Sequence, residues 1–439
     1  MESTTLEQKD VAAHVAHAHS QIVQDLKKIL KEDPTMEIAL LDSLMIASTL
    51  AKKDLNGDLF YAINNEFNGN GWPTTLEGYY DYLDIYVRMV PNESNDPNYP
   101  NAWSSTGEKN GYNQKVYDLL CQFYWLVDQK VPGTQLSMQS YEKFADWLVE
   151  FATDWGNFLD TPESLTKESL MSFKHDNMYN YWLYSDNAAS WKTFNEFFHR
   201  DFNNAAPGTG ITPLRPIAEP DHNGIVVSPA DCTYKMDYAI DSTGNVMGND
   251  GKPASIILKN THSIGTVSEL LDGSEYSDAF NGGTFVHYFL SPFDYHRFHT
   301  PVIGKVLEIK PVTGKVYLDV SMTSDGQFDA PDASSSGNSQ GYEFTQSRGV
   351  VVMDGGPEVG KVAIIPIGMC QVSGVTMYEN LQGKNVAKGQ EFGYFSFGGS
   401  DIIMLFEKPQ KDLYLFKRDP GHIAIHFQYG QAAVYPNNK

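Results

Sequence analysis

Three stretches of the chain combine residue types that can move protons or attack a carbonyl. The first is Asp294-Tyr-His-Arg-Phe-His-Thr-Pro-Val-Ile-Gly304, which follows an apolar run ending at Leu290-Ser-Pro292. His296 and His299 stand three positions apart, with Asp294 and Arg297 beside them. Imidazole titrates near neutral pH, so such a pair suits proton transfer. The spacing also admits two metal ligands. A third ligand is not evident, however, and the Pro-rich flanks predict a loop rather than a helix. The plainer reading is a strand-end loop with its histidines hydrogen-bonded.

The second stretch is Phe395-Ser-Phe-Gly-Gly-Ser-Asp401, followed by the apolar strand Ile402-Ile-Met-Leu-Phe406. Gly398 and Gly399 permit backbone geometry that other residues resist, directly before the Ser400 hydroxyl. A tight turn between two strands is the ordinary alternative. A P-loop is excluded, because no Gly-Lys-Ser/Thr follows. The third stretch is Val226-Val-Ser-Pro-Ala-Asp231, an acid just after a strand, which otherwise reads as a turn Asp. His14, His17 and His19 read as a solvated or packed helix face, and Asp54 to Asp58 is too short for a calcium loop.

The elements that must position these residues change character along the chain. Val11 to Leu30, Ile38 to Ala51, Tyr112 to Lys130 and Tyr141 to Leu159 carry apolar residues at helical spacing. Pro91 to Gly111 predicts a long loop, and Asn203 to Pro213 is a linker by composition. Strands follow at Ile225–Val227, Ile256–Leu258, Thr284–Leu290, Lys305–Val312, Val350–Met353, Lys361–Ile367 and Ile402–Phe406. Thr323 to Gly341 predicts a surface loop. The expected fold is α+β, with a helical N-terminal domain over 1–205 and a β-rich domain over 206–439.

Composition narrows the function. The 439 residues carry 32 Lys+Arg against 55 Asp+Glu, a formal charge of −23. So acidic a surface argues against nucleic acid and against tight docking on anionic membranes. Cys121, Cys232 and Cys370 are far apart, which excludes a zinc ribbon or disulfide framework. No signal peptide is visible, and no run approaches the ~20 apolar residues of a membrane helix. A cytoplasmic protein without a transmembrane segment is the expectation.

Taken together and in this order, the three stretches resemble the phosphatidylserine decarboxylase family of pyruvoyl enzymes. Pro366-Ile-Gly-Met369 with Val372 and Gly374, and Val386-Ala-Lys-Gly-Gln-Glu-Phe-Gly393, are similar to segments that precede its self-cleavage site. Thr193-Phe-Asn-Glu-Phe-Phe-His-Arg-Asp-Phe202, with Arg215-Pro216, resembles the start of its catalytic domain. The likeness covers about residues 190 to 410. The aromatic region Tyr141 to Leu159 resembles the soluble branch, which includes the fungal L-tryptophan decarboxylases of psilocybin biosynthesis. Two positions depart from the family pattern. Cys232 follows Asp231 where Gly is usual, and Asp401 follows Ser400 where Ser or Thr is usual. Asp401 puts a carboxylate next to the reacting residue, with consequences for maturation or substrate choice.

The resemblance implies a self-made prosthetic group. Ser400 Oγ attacks the Gly399 carbonyl, an ester forms by an N-to-O acyl shift, and elimination cuts the chain into 1–399 and 400–439, leaving a dehydroalanine at 400 that water hydrolyses to a pyruvoyl group with loss of ammonia. It further implies His299 as the base, Asp231 as the group orienting it, and His296 as the acid of turnover. Ordinary side chains offer no electron sink for a departing carboxylate, whereas a ketone conjugated to an imine does. Neither pyridoxal phosphate nor a metal is then needed. The favoured substrate is a free amino acid, aromatic ones such as tryptophan included, decarboxylated through a Schiff base. Phosphatidylserine is the alternative. A third reading is an unprocessed scaffold in which Asp401 blocks cutting. Homo-oligomers are compatible with the resemblance.

Overall fold

The computed structural model describes residues 19–94, 97–103, 114–248, 251–253, 256–258, 262–316, 318–329, 346–369, 374–419, 421 and 423–437. His14, His17, Cys370 and Val372 lie outside the described residues, as do parts of the loops predicted around 91–111 and 323–341.

The chain is α+β, helical first and β-rich after. The longer helices are α1 Gln21–Glu32, α2 Pro34–Asp54, α3 Gly57–Glu66, α4 Leu76–Tyr86, α5 Lys115–Val127, α6 Glu142–Leu159 and α7 Lys167–His175, and the short α8 is Phe194–Phe198. Local chemistry sets several starts. Asp33 accepts from the Met36 amide with Pro34 at the first helical position of α2. Thr166 and Ser169 form a reciprocal capping box at α7. Periodicity alone missed α3 and α4: the stripe of α3 is short, Leu59, Ala62 and Ile63, and the buried face of α4 is mostly tyrosine.

The aromatic stripe of α6 builds the helical core. Phe144, Trp147, Leu148, Phe151 and Trp155 are buried at helical spacing. Each indole also finds a carbonyl: Trp147 Nε1 donates to Ile22 O at 2.9 Å and Trp155 Nε1 to Met89 O at 3.0 Å. α2 has 21 residues and is long and apolar enough to cross a membrane by length and composition, contrary to the expectation from the sequence. Its Met36, Leu40, Leu44, Ala47 and Ala51 are buried in the protein core, whereas Ile38 and Met45 on its other face are exposed.

The β-rich part is organised by an eight-stranded antiparallel sheet. Its strands run in the order Asn385–Val386, Gly304–Val312, Arg348–Asp354, Lys361–Met369, Gly399–Phe406, Thr284–Leu290, Cys232–Ala239 and His426–Phe427. Three central strands, Thr284–Leu290, Lys361–Met369 and Gly399–Phe406, are apolar on both faces because both faces are covered. Ile402, Met404 and Phe406 face a core shared with the helices, while Ile403 and Leu405 face a smaller one with Val267 and Leu270. A second, three-stranded sheet joins Val375–Met377, Glu391–Phe395 and Arg297–His299. The histidine stretch thus ends in a short strand, not a loop throughout.

Among the buried polar groups of the helical part is a carboxylate. Asp118 on α5 is buried, and both its carboxylate oxygens are without a hydrogen-bond partner. Burial pushes its pKa well above the usual carboxylate range. On unfolding the group ionises at its ordinary value, so stability is full at acid pH and falls as pH rises toward the folded value. Asp118→Asn is therefore expected to raise the unfolding temperature at about pH 8 and to leave it near wild type at about pH 4. Thermal melts at the two pH values check this, and an equal shift at both would contradict it.

Candidate active site

The sheet brings the three sequence stretches to one end. Ser400 is the second residue of its strand, paired with Gly368 on one side and Leu290 on the other. Leu290 ends its own strand just before Ser291 and the histidine stretch. The next strand starts at Cys232, one residue after Asp231, and Thr233 pairs with Phe289. Asp231, the 291–299 segment and Ser400 thus share one edge of the sheet.

Ser400 is fully buried, and its Oγ has no hydrogen-bond partner. Buried hydroxyls without partners are rare and mark functional sites or places where a further group must fit. Gly398 has φ +149°, a conformation L side chains resist, and it lets the chain turn from Phe397 into the strand. The helical region fixes this turn. Phe397 packs edge-on against Trp155, Phe194 and Phe198, and its amide donates to Asn195 Oδ1 at 3.0 Å. A role for the N-terminal half is therefore visible: it forms the socket for the residues just before Gly399 and Ser400.

His299 is fully buried and neutral, because desolvation lowers its pKa to about 3. Its Nδ1 lies 2.8 Å from the Gly389 carbonyl, which can only accept, so Nδ1 carries the proton. Nε2 is then the acceptor, and the Tyr295 hydroxyl donates to it at 3.1 Å. The ring also stacks flat on Tyr429, with centroids 3.8 Å apart. Gly210 closes the site from the other side. With φ +67°, its backbone lies so close that a Cβ there would sit 2.7 Å from His299 Cε1 and 2.5 Å from Glu391 Oε2. The segment read as a linker is thus part of the site, and Tyr429 Oη donates to the Gly210 carbonyl.

Asp231 does not hydrogen-bond His299. Its carboxylate is 2.7 Å from Arg215 Nη2 and accepts the Tyr429 amide at 2.8 Å. The orienting part expected of Asp231 is filled by the Gly389 carbonyl, and Asp231 acts on His299 through its charge. The cause is topological: Asp231 is committed to Arg215 and Tyr429 beside it.

His296 is fully buried, stacked on Phe198 at 3.8 Å, and neither ring nitrogen has a well-formed hydrogen bond. Desolvation, with Arg200 nearby, holds its pKa well below the ordinary value. The segment around it is clamped by the run Phe198-His-Arg-Asp201. Arg200 Nη2 donates to the Phe293 and Asp294 carbonyls, while the His199 carbonyl and the Asp201 carboxylate hold Arg297. Arg297 also reaches Glu391 Oε1 at 2.6 Å. Lys388 Nζ, donating to the Glu219, His222 and Ile225 carbonyls, fastens the turn that leads toward Asp231. Among the described residues no cluster of His, Cys, Asp or Glu is arranged to hold a metal ion. His19 is paired with Glu77 and Asp84 instead.

A cleft of about 380 Å³ opens beside Asp231. Trp182, Tyr184, Arg215, Phe293, Asp294, Tyr295 and His426 line it. Tyr295 links the cleft to His299, since it lines the one and donates to the other. His426 Nε2 lies 2.8 Å from Asp294 Oδ1. Desolvation works against the charged imidazole, but the Asp294 carboxylate outweighs it and raises the His426 pKa. No pattern in the sequence pointed to His426 or to Tyr429, because each stands alone in its stretch. Asp401 also departs from expectation. Alternation along the strand turns its side chain to the face opposite Ser400, where it pairs with His287 Nε2 at 3.2 Å.

The family model for phosphatidylserine decarboxylase matches residues 194–434, from the first residue of α8 to beyond Ser400. The chain belongs to the phosphatidylserine decarboxylase family. Similar curated proteins include phosphatidylserine decarboxylase proenzyme 3 of Schizosaccharomyces pombe, 34% identical over 49% of this chain and 19% of that one. Proenzyme 2 of Oryza sativa subsp. japonica is 30% identical over 60% of this chain and 37% of its own. The proenzyme of Fusobacterium nucleatum subsp. nucleatum is 29% identical over 59% of this chain and 74% of its own. The aligned segment thus spans well under half of the first two relatives. The family match holds Asp231, His296, His299 and Ser400, whereas α1 to α7 lie outside it. The relatives' names give no support to a tryptophan-decarboxylase likeness.

Proposed function

We propose that the chain is a precursor that cuts itself between Gly399 and Ser400 and then acts as a pyruvoyl-dependent decarboxylase of phosphatidylserine. The observation that carries the reading is Ser400 Oγ, buried and partnerless at the head of a central strand, in a chain of this family. The first step needs a base for the serine proton. His299 suits it: burial keeps the imidazole neutral, Gly389 fixes the tautomer, and Nε2, which accepts from Tyr295, is its basic nitrogen, although Ser400 Oγ has no hydrogen-bond partner and must move to reach it. The surroundings fit the prosthetic group, since position 400 is dry, rigidly paired in the sheet and preceded by two glycines. Once formed, the pyruvoyl carbonyl supplies the electron sink that side chains lack.

Arg215, Asp231, Asp294 and His426 line the cleft with both signs of charge, which suits a head group bearing an ammonium and a carboxylate. In this reading His296 returns a proton; burial keeps its imidazole neutral at rest, so it gives back a proton taken up during the reaction. The relatives' names favour phosphatidylserine over the free amino acid that the net charge had suggested. Purified protein is to be given mixed vesicles containing phosphatidylserine, and separately free serine, tryptophan and other aromatic amino acids. Carbon dioxide release from the vesicles alone is the expected result. Release from a free amino acid alone would overturn the substrate assignment and keep the chemistry.

A further inference from the structure

The self-cutting reading leaves a mechanical problem, and the following rests on that reading. In the intact chain Ser400 is held from both sides, by Gly399 before it and the strand after it. After the cut, residue 400 is the end of a strand. Chain ends fray unless something ties them down. Backbone pairing with Gly368 and Leu290 is available, but terminal ladder bonds open most easily.

Directly behind the new end, residue 400, stands Asp401. Its side chain is fully buried and lies 3.2 Å from Nε2 of His287, itself 1% exposed, on the neighbouring strand Thr284–Leu290. Around them are the apolar side chains of one sheet face. Ile403 pairs with His287 in the ladder, and the Phe285 ring lies 6.5 Å from it. A buried carboxylate–imidazole contact, charged on both sides only when the imidazole is protonated, repays little net stability, because desolvation consumes most of the attraction. Its best-attested use is to fix one register against others. Here a shift of one residue would carry the Asp401 carboxylate to the opposite face of the sheet and leave His287 among apolar groups.

We propose that the His287–Asp401 pair anchors the new chain end, holding residue 400 at its place in the sheet after the 399–400 bond is gone. The pair is a positioning device. It touches neither Ser400 Oγ nor the cleft, and it stands on the opposite face of the sheet.

The test is hydrogen exchange, read by mass spectrometry on peptides covering 401–406, in cut wild-type protein and in the uncut Ser400→Ala chain. Asp401→Asn and His287→Gln are placed in both backgrounds. In the cut protein either substitution is expected to lower protection of these amides by about tenfold or more. In the uncut chain the loss is expected to stay under about threefold, because the peptide bond to Gly399 still holds the strand. The uncut background also shows that each variant folds. Equal losses in both backgrounds would reduce the pair to a general stabiliser and overturn the anchor. So would unchanged protection in the cut protein. A variant that folds but is never cut would assign the pair to the cutting step instead. A wild-type chain that is never cut would overturn the reading beneath it, which the other outcomes leave standing.

Discussion

Replacing His299 by Gln is expected to slow self-cutting by about 10²- to 10⁴-fold while the protein still folds. The amide can still donate to the Gly389 carbonyl that now receives the Nδ1 proton. What it cannot supply is the basic nitrogen that faces Tyr295. The magnitude is that of a positioned general base, because the serine alone is a poor nucleophile. A pH series on the wild type separates this role from a packing role. The base is competent when neutral, and burial lowers its pKa to about 3. Cutting is therefore expected to stay level from about pH 8 down to about pH 5, where an exposed imidazole would already be protonated. A time course of chain length on denaturing gels reads both. A His299→Gln chain that cuts at the wild-type rate would remove His299 from the mechanism.

Arg215→Met carries the second large effect. Arg215 and Asp231 are both nearly dry, 2.7 Å apart, and the guanidinium also lies over the Phe202 ring at 4.3 Å. Removing the cation leaves the Asp231 carboxylate buried with only the Tyr429 amide as a donor. Breaking a buried pair from one side costs about 3–5 kcal/mol, most of it for the charge left behind. Arg215→Met with Asp231→Leu removes both charges and is expected to recover most of that loss. Denaturant midpoints of the single and double variants, all in the Ser400→Ala background, measure the difference. A single variant within about 1 kcal/mol of the parent would mean that water reaches Asp231 freely.

The sequence was most legible where one physical rule acted alone. The strand Thr284–Leu290 was readable end to end because both faces are apolar. The stretches around Asp231, His296, His299 and Ser400 were readable because their residue types are chemically unusual together. Tertiary context hid the rest. Asp401 looked like a carboxylate beside the reacting group, but strand alternation and His287, more than a hundred residues earlier, turn it away. Asp231 looked like the orienting member of a triad, yet Arg215 and Tyr429 occupy its oxygens. The stretch 203–213 reads as a linker by composition, although its glycine at 210 is what allows the backbone to press against His299. None of these pairings leaves a local signature.

The mass of the intact protein under denaturing conditions tests the central claim most directly. The expected result is two chains meeting at Gly399 and Ser400, with the 40-residue piece lighter by one ammonia than the same peptide beginning with serine. That mass, together with resistance to Edman degradation, identifies a pyruvoyl end. A single chain of 49.1 kDa that stays whole on long incubation would contradict the mechanism and leave Ser400 a buried hydroxyl without a task.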